Sequence, residues 1–404
     1  VLLSAEPLSA RAVDGWASDR PGRAAGGRKP KPARSRGRRP GTKRGSLDVT
    51  HEILRRLPKT DLHVHLDGSL RVETVMDLAR ERGIALPSDD PRRMRDILQV
   101  GLDCESLVEY LRVFDITLPL LQDEEALTRT AFELAEDAHY ENVLYLEVRY
   151  SPLLHRTRGL KMDEVIQAVA KGLQLAEDRY GIRTGQILCG IRHLTPEDSL
   201  ELAEHAVAWK GRGVVGFDLA GAEKDYPAKH HREAFYRVLN ANVNITIHAG
   251  EAFGPASIAQ ALHYCGAHRI GHGTHLLEDR DLLQYVNDHR IPLEVCPTSN
   301  VQTKAVGSFE DHPLPRFMQE GLRVTINTDN RLISGTDSTH ELEVVAKTFG
   351  LGLEEIVDLV VAGFKSAFLP LAERIKLLEE VFTQLRALGI PYAQEISRRR
   401  RVNL

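Results

Sequence analysis

The sequence predicts an α/β fold, a closed (β/α)8 barrel of the TIM type with a helical lid insertion between its first and second strands. Three observations predict it. Eight short apolar, β-branched runs recur along the chain, helical patterns alternate with them, and polar residues able to do chemistry gather at the ends of the runs. The rival architecture, an open doubly wound sheet, would place a glycine-rich phosphate loop after a strand. Neither GxGxxG nor GxxxxGK[ST] follows one here.

The strands are expected at 61–66, 143–150, 186–192, 214–219, 243–248, 269–271, 291–296 and 323–328. Most are too short and too unbroken for amphipathic helices, so they read as parallel strands buried on both faces. Between them, 162–180 carries apolar residues at 165, 166, 169, 173 and 176, which is helical spacing. The stretch 196–210 opens with Thr195 as an N-cap and Pro196 at the first helical position. Residues 255–265 and 354–368 also read as helices. The long gap 69–142 holds several more, and in a barrel it would lie over the mouth. There, Leu107, Leu111, Phe114 and Leu118 recur at i, i+4, i+7 and i+11. They could wall a pocket, although helix packing is the commoner reason for such spacing.

Composition narrows the class. With 404 residues, 42% hydrophobic and 27% charged, the chain can bury a globular core of one large domain or two ordinary ones. No run approaches the roughly 20 apolar residues of a membrane-spanning helix, so a membrane role is not expected. Cys104, Cys189, Cys265 and Cys296 are scattered without a CxxC pair. That excludes a disulfide scaffold and a cysteine-rich zinc module, and suits a reducing, cytoplasmic setting.

Charge divides the chain. Residues 1–46 carry twelve Lys/Arg against three acids, so a segment at +9 leaves −13 for the remainder of a chain whose total is −4. An acidic body is not the surface of a nucleic-acid binder. The basic Gly/Pro/Arg-rich segment has little to bury and reads as a disordered tail, with the structured, periodic body at 47–404. The tail reads as a solvated appendage, as an arm touching nucleic acid, or as upstream sequence absent from the native product. Its basic residues follow the apolar run 1–8, the reverse of a secretory leader.

The chemistry lies at strand ends. His63 and His65 are two apart on the first strand, so both imidazoles face the barrel interior. On that pair alone, two metal ligands and two satisfied core histidines stay open as readings. Further strand ends decide between them. The fifth ends in His248-Ala249-Gly250-Glu251, the sixth in Gly271-His272-Gly273, the eighth in Asn327-Thr328-Asp329-Asn330, and all converge on one mouth. Buried His and Asp side chains satisfy one another when they meet at a cation. His63, His65, His248 and Asp329 offer three nitrogens and a carboxylate, suited to one Zn²⁺ though not exclusive to it. Glu251, offset from the ligands, could donate or shuttle a proton, and His272 could orient or deprotonate an attacking water. Arg149 and Arg192, at the ends of the second and third strands, could bind a phosphate or carboxylate, but structural ion pairs with nearby acids such as Glu147 are the favoured expectation.

These motifs resemble the adenosine deaminase family of metal-dependent amidohydrolases. The resemblance rests on Lys59-Thr-Asp-Leu-His-Val-His-Leu-Asp-Gly-Ser-Leu70, Val215-Gly-Phe-Asp-Leu-Ala-Gly221, His248-Ala-Gly-Glu251, Arg269-Ile-Gly-His-Gly273, Cys296-Pro-Thr-Ser-Asn300 and Asn327-Thr-Asp329, in order over about 47–388. It implies zinc held by His63, His65, His248 and Asp329, and a catalytic set of Glu251, His272 and Asp329. Glu251 would protonate purine N1 and His272 would stand beside the attacking water. It implies substrate contacts from His65, Asp67 at the ribose end, the Gly221 backbone amide at the purine ring, and Asn330. The implied reaction is attack of a zinc-activated water on C6 of a purine nucleoside, with loss of ammonia. N1 must be protonated because C6 of a neutral aromatic ring is a poor electrophile, and burial would raise the Glu251 pKa enough to hold that proton.

One departure stands out. The family commonly has Asp-Asp at the eighth strand end, where this chain has Asp329-Asn330. Purine N7 accepts a hydrogen bond; an Asn amide donates at any pH, an Asp only when protonated. The expected function is therefore deamination of adenosine or 2′-deoxyadenosine. The alternatives are another 6-aminopurine substrate, such as aminodeoxyfutalosine or adenine, and a non-catalytic nucleoside-binding protein. A nucleic-acid base deaminase of the zinc type would show HxE with PCxxC, which is absent.

Overall fold

A computed structural model describes residues 48–390 of the chain. The segment 1–46 and the stretch after 390 lie outside those residues, as does the expectation of a disordered tail. Eight strands follow one another in sequence order around a single parallel sheet: β1 Lys59–His65, β2 Val143–Tyr150, β3 Arg183–Ile191, β4 Val214–Ala220, β5 Asn244–Ala249, β6 Arg269–His272, β7 Leu293–Val295 and β8 Val324–Ile326. β8 returns to β1 through Asp329, three residues beyond its end. The Asp329 N–H donates to the His63 carbonyl at 2.8 Å, and the His65 N–H donates to the Asp329 carbonyl at 2.7 Å.

The helices form where local sequence favours them. Met162–Tyr180 and Pro196–Ala208 match their apolar spacing, and the second is capped by Thr195, whose hydroxyl accepts from the Asp198 N–H at 3.1 Å. The insertion between β1 and β2 contains Val72–Arg82, Pro91–Leu98, two four-residue helices and Glu124–Tyr140. Leu107, Leu111, Phe114 and Leu118 do not lie on one regular helix. Their segment breaks into short α and 3-10 turns, with Phe114 and Leu118 buried in the core.

Part of the insertion lies against the loops that follow β7 and β8. Val100 donates to the Ile333 carbonyl at 2.7 Å, Gln302 to the Val100 carbonyl at 2.7 Å, and Lys304 to the Leu102 carbonyl at 2.6 Å. Tyr110 meets the Ser334 hydroxyl at 2.7 Å. Among the described residues, no helix is long and apolar enough to cross a membrane.

The barrel interior is partly ionic. Arg149 donates to Asp218 at 2.9 Å and to Glu294 at 2.8 Å, while Arg269 reaches Glu294 at 2.5 Å and also pairs with Glu147. The partner expected for Arg149 was Glu147. The two are two residues apart on β2, so they fall in successive interior layers, and each reaches across to a different strand. Among the described residues, Arg192 makes no ion pair of the expected kind. Its guanidinium donates to the carbonyls of Tyr226, at 2.7 Å, and His248.

Candidate active site

The strand ends meet as the sequence predicted. His63 Nε2 lies 3.0 Å from His248 Nε2, and His65 Nε2 lies 3.1 Å from the same atom. Asp329 Oδ1 is 3.6 Å from His63 Nε2 and 3.4 Å from His65 Nε2. Only His65 is less than fully enclosed. Two neighbouring features make this convergence possible. At Gly271, a Cβ would stand 3.0 Å from His63 Cε1, inside comfortable contact. Asp329 and His272 adopt φ values of 61° and 63°, a left-handed conformation costly for residues with side chains and concentrated at functional sites.

The hydrogen-bond partners behind the rings say what they face. His63 Nδ1 donates to Glu294 Oε2 at 2.9 Å, and His248 Nδ1 donates to Asp218 Oδ2 at 3.0 Å. With each proton committed to Nδ1, both rings present Nε2 lone pairs to each other at 3.0 Å. Such an arrangement is repulsive unless a cation lies between, and the carboxylate behind each ring is the usual device for orienting a metal-binding histidine. Against the cost of burial, His248 and Arg149 hold Asp218 well below the usual carboxylate range, and Arg149 with Arg269 does the same for Glu294. Two guanidiniums thus face four carboxylates (Glu147, Asp218, Glu294 and Asp329). That excess of carboxylates over guanidiniums suits a cation among the converging rings. A second possible cluster, His272, Cys296 and Asp329, shares one ligand with the first. Burial pushes the Cys296 thiol far up, so it is the poorer donor.

Ser299 holds the remaining Asp329 oxygen, donating to Oδ2 at 2.6 Å. Glu251 is buried beside the cluster with Oε2 3.5 Å from His272 Nε2. Burial first, and Asp329 second, push its pKa up to about 8, so it is a carboxylic acid near neutrality. Its loop is fixed by a residue that no motif signalled. Glu223 accepts the N–H groups of Gly250 (2.6 Å), Glu251 (2.9 Å), Ala252 (2.6 Å) and Phe253 (3.0 Å). His272 is fully enclosed, and burial and the neighbouring His63 keep its pKa well below the ordinary imidazole value. Its Nδ1 meets the Asn300 amide at 2.9 Å, and Asn300 in turn meets His312 at 3.2 Å.

The remaining expected contacts line the same end of the barrel. Asp67, buried after β1, is raised to about 7 by burial. Its Oδ1 has no protein partner among the described residues, and its Oδ2 is 3.8 Å from the equally unpartnered His155 Nε2. Gly221 makes the turn out of β4 with φ 93°. Asn330 is buried against Gly68, where any Cβ would fall 1.9 Å from Asn330 Oδ1. Sequence reasoning missed Glu223, Asp218, Glu294 and His312. Asp218 and Asn300 lay inside motifs it quoted, without a role.

Residues 58–384 match the family model described as adenosine deaminase. The chain is 43% identical over 345 residues to adenosine deaminase 1 of Streptomyces coelicolor, covering 81% of this chain and 87% of that protein. It is 39% identical to a probable adenosine deaminase of Dictyostelium discoideum over 83% of this chain, which spans only 43% of that longer protein. Among solved structures, adenine deaminase from Arthrobacter aurescens superposes with a TM-score of 0.76 at 28% identity, covering 82% of this chain and 99% of that one.

Proposed function

The chain belongs to the adenosine deaminase family, and from that premise we propose that it hydrolyses adenosine and 2′-deoxyadenosine to inosine and 2′-deoxyinosine with release of ammonia. One observation carries the reading. A carboxylic acid kept protonated to about pH 8, Glu251, stands beside three imidazoles and a carboxylate whose lone pairs converge. That combination pairs an acid able to activate a purine ring with a cage for a Lewis-acidic ion.

The family is metal-dependent, and the donor set fits Zn²⁺, held by His63, His65, His248 and Asp329. When bound, such an ion supplies the acidification that lets a water attack near neutral pH. The chain's own groups do the rest. Glu251 delivers its proton to purine N1, which drains electron density from C6 and makes it electrophilic. Glu223 holds the backbone that aims Glu251. Asn330 donates to N7, the Gly221 amide meets the ring, and Asp67 takes a sugar hydroxyl. The insertion segment that bonds to the loops after β7 and β8 acts as the lid, excluding bulk water from these groups. The body from 47 onward is the catalytic unit.

The test is ammonia release by zinc-loaded protein across adenosine, 2′-deoxyadenosine, adenine and AMP. Preference for the two nucleosides is expected. Preference for adenine, the base acted on by the Arthrobacter neighbour, keeps the chemistry and overturns the substrate. Silence on all four with metal bound overturns the activity.

A further inference from the structure

We infer that Asn300 and His312 are positioning residues that fix the tautomer of His272, placing its single proton on Nε2 so that the ring acts as a hydrogen-bond donor and not as a base. The catalytic meaning of this rests on the reading above; the tautomer itself rests on hydrogen-bond polarity alone.

One donor in the chain of contacts has a polarity beyond choice. The Leu314 backbone N–H points at His312 Nδ1 at 3.0 Å. Leu314 opens the helix Leu314–Gln319, so this N–H has no acceptor within the helix. His312 Nδ1 must therefore accept, which leaves the ring proton on Nε2. That Nε2–H faces Asn300 Oδ1 at 3.2 Å. With its oxygen so engaged, Asn300 presents its NH₂ to His272 Nδ1 at 2.9 Å. His272 Nδ1 is then an acceptor, and the proton of this ring sits on Nε2.

The reverse polarity fails on valence. Turning the Asn300 amide round would aim its NH₂ at His312 Nε2 while Leu314 still donates to Nδ1. His312 would have to accept at both nitrogens, which only an imidazolate can do. A doubly protonated His272 fails in the same way, because its Nδ1–H would force the amide round. All three side chains are buried, so bulk water offers no easy alternative partner.

The chemical consequence lies at the other end of the ring. His272 Nε2 is 3.5 Å from Glu251 Oε2, and the ring centroid is 4.8 Å from that of His63. A donor there points into the space between the acid and the ligand cluster, where the oxygen attacking C6 arrives. It stabilises the charge that develops on that oxygen, as preorganised donors do in acyl transfer. An imidazole whose Nε2 already carries a proton cannot take another from the water without becoming the imidazolium that the relay forbids.

The test uses full-length, zinc-loaded protein labelled with ¹⁵N-histidine, with His272 assigned through H272N. Long-range ¹⁵N–¹H spectra read which ring nitrogen carries the proton, without substrate. The wild type should show a protonated Nε2 and a bare Nδ1. In N300D, the carboxylate can only accept, so the proton should move to Nδ1. Its kcat should fall about 100-fold, the usual effect of removing one such donor, with KM nearly unchanged. H312Q should keep the wild-type spectrum and turnover, since its amide can accept from Leu314 and donate to Asn300. H312F, of similar bulk, should lose both. A wild-type His272 protonated on Nδ1, or an N300D protein with wild-type spectrum and kcat, would overturn the inference. A wild-type protein with the Nε2 tautomer but no adenosine turnover would uphold the tautomer and overturn only the proposed function.

Discussion

Glu223→Gln tests how much of catalysis depends on a residue that touches no substrate. The carboxylate gathers four backbone N–H groups, one on Oε1 and three on Oε2. An amide best keeps three of them by placing its oxygen where Oε2 stands. Its NH₂ then meets the Gly250 N–H, donor against donor, where an oxygen now sits 2.6 Å away. Losing one hydrogen bond to a charged acceptor and leaving a buried N–H unpaired costs about 2–4 kcal/mol. Weakening the other three from charged to neutral adds on the order of 1 kcal/mol more. The loop relieves that cost by moving away, and it carries Glu251. A displacement of about 1 Å at such a group costs on the order of 100-fold in rate. We therefore expect kcat to fall roughly 100-fold while KM changes little, and urea unfolding to show a loss of about 3 kcal/mol. Ammonia release gives the first quantity and fluorescence-monitored unfolding the second. An E223Q protein with kcat within about twofold of wild type would refute the view that these four bonds aim the acid.

Other outcomes follow from the same geometry. Glu251→Gln should retain its metal, measured by atomic absorption, yet lose about 100-fold or more in kcat because an amide cannot deliver the proton. In the proposed mechanism the acting form of Glu251 is the acid, and its pKa is raised to about 8. The pH profile of turnover should therefore be level on the acid side of 8 and fall tenfold per unit above it, and a profile rising through that range would exclude the role. Asp218→Asn removes the carboxylate that orients His248 and should weaken metal affinity by about 10- to 100-fold in competition with a chelator. Asn330→Asp should make KM for adenosine rise with pH, since only a protonated acid can donate to N7; a KM as flat as the wild type's would argue against that contact. Deleting residues 1–46 should leave kcat and melting temperature unchanged, and a large drop in either would show that the segment supports the barrel.

Much of this was legible in the sequence because it is written in periodicity. The two-residue repeat of a strand puts His63 and His65 on one face whatever their surroundings. A parallel barrel then brings every strand end to a common rim, so His248, Asp329, Glu251 and His272 could be placed there from order alone. Strand boundaries were less legible. The apolar runs at 291–296 and 323–328 shrink to the three residues Leu293–Val295 and Val324–Ile326, with single backbone bonds at Pro292, Arg323 and Asn327 continuing just outside them. Partners across the barrel were not legible at all. Arg149 finds Asp218 and Glu294 because three strands distant in sequence share an interior layer. Glu223 gives no local signal, since its ligands are backbone N–H groups that any sequence would possess. The same holds for His312, whose importance depends on one backbone donor and one amide.

The joint between β1 and β8 has a consequence for how the protein comes into being. The ladder that closes the barrel runs through His63, His65 and Asp329, three of the four converging side chains. His63 and His65 are separated from Asp329 by most of the described chain, so their meeting closes a very long loop. Contacts of such high sequence separation form late, because the entropy of closing so long a loop must be met before they return anything. Tight metal capture should therefore be a terminal event of folding, unavailable to a partly assembled sheet. Until a cation is bound, that joint would be held by its backbone hydrogen bonds alone.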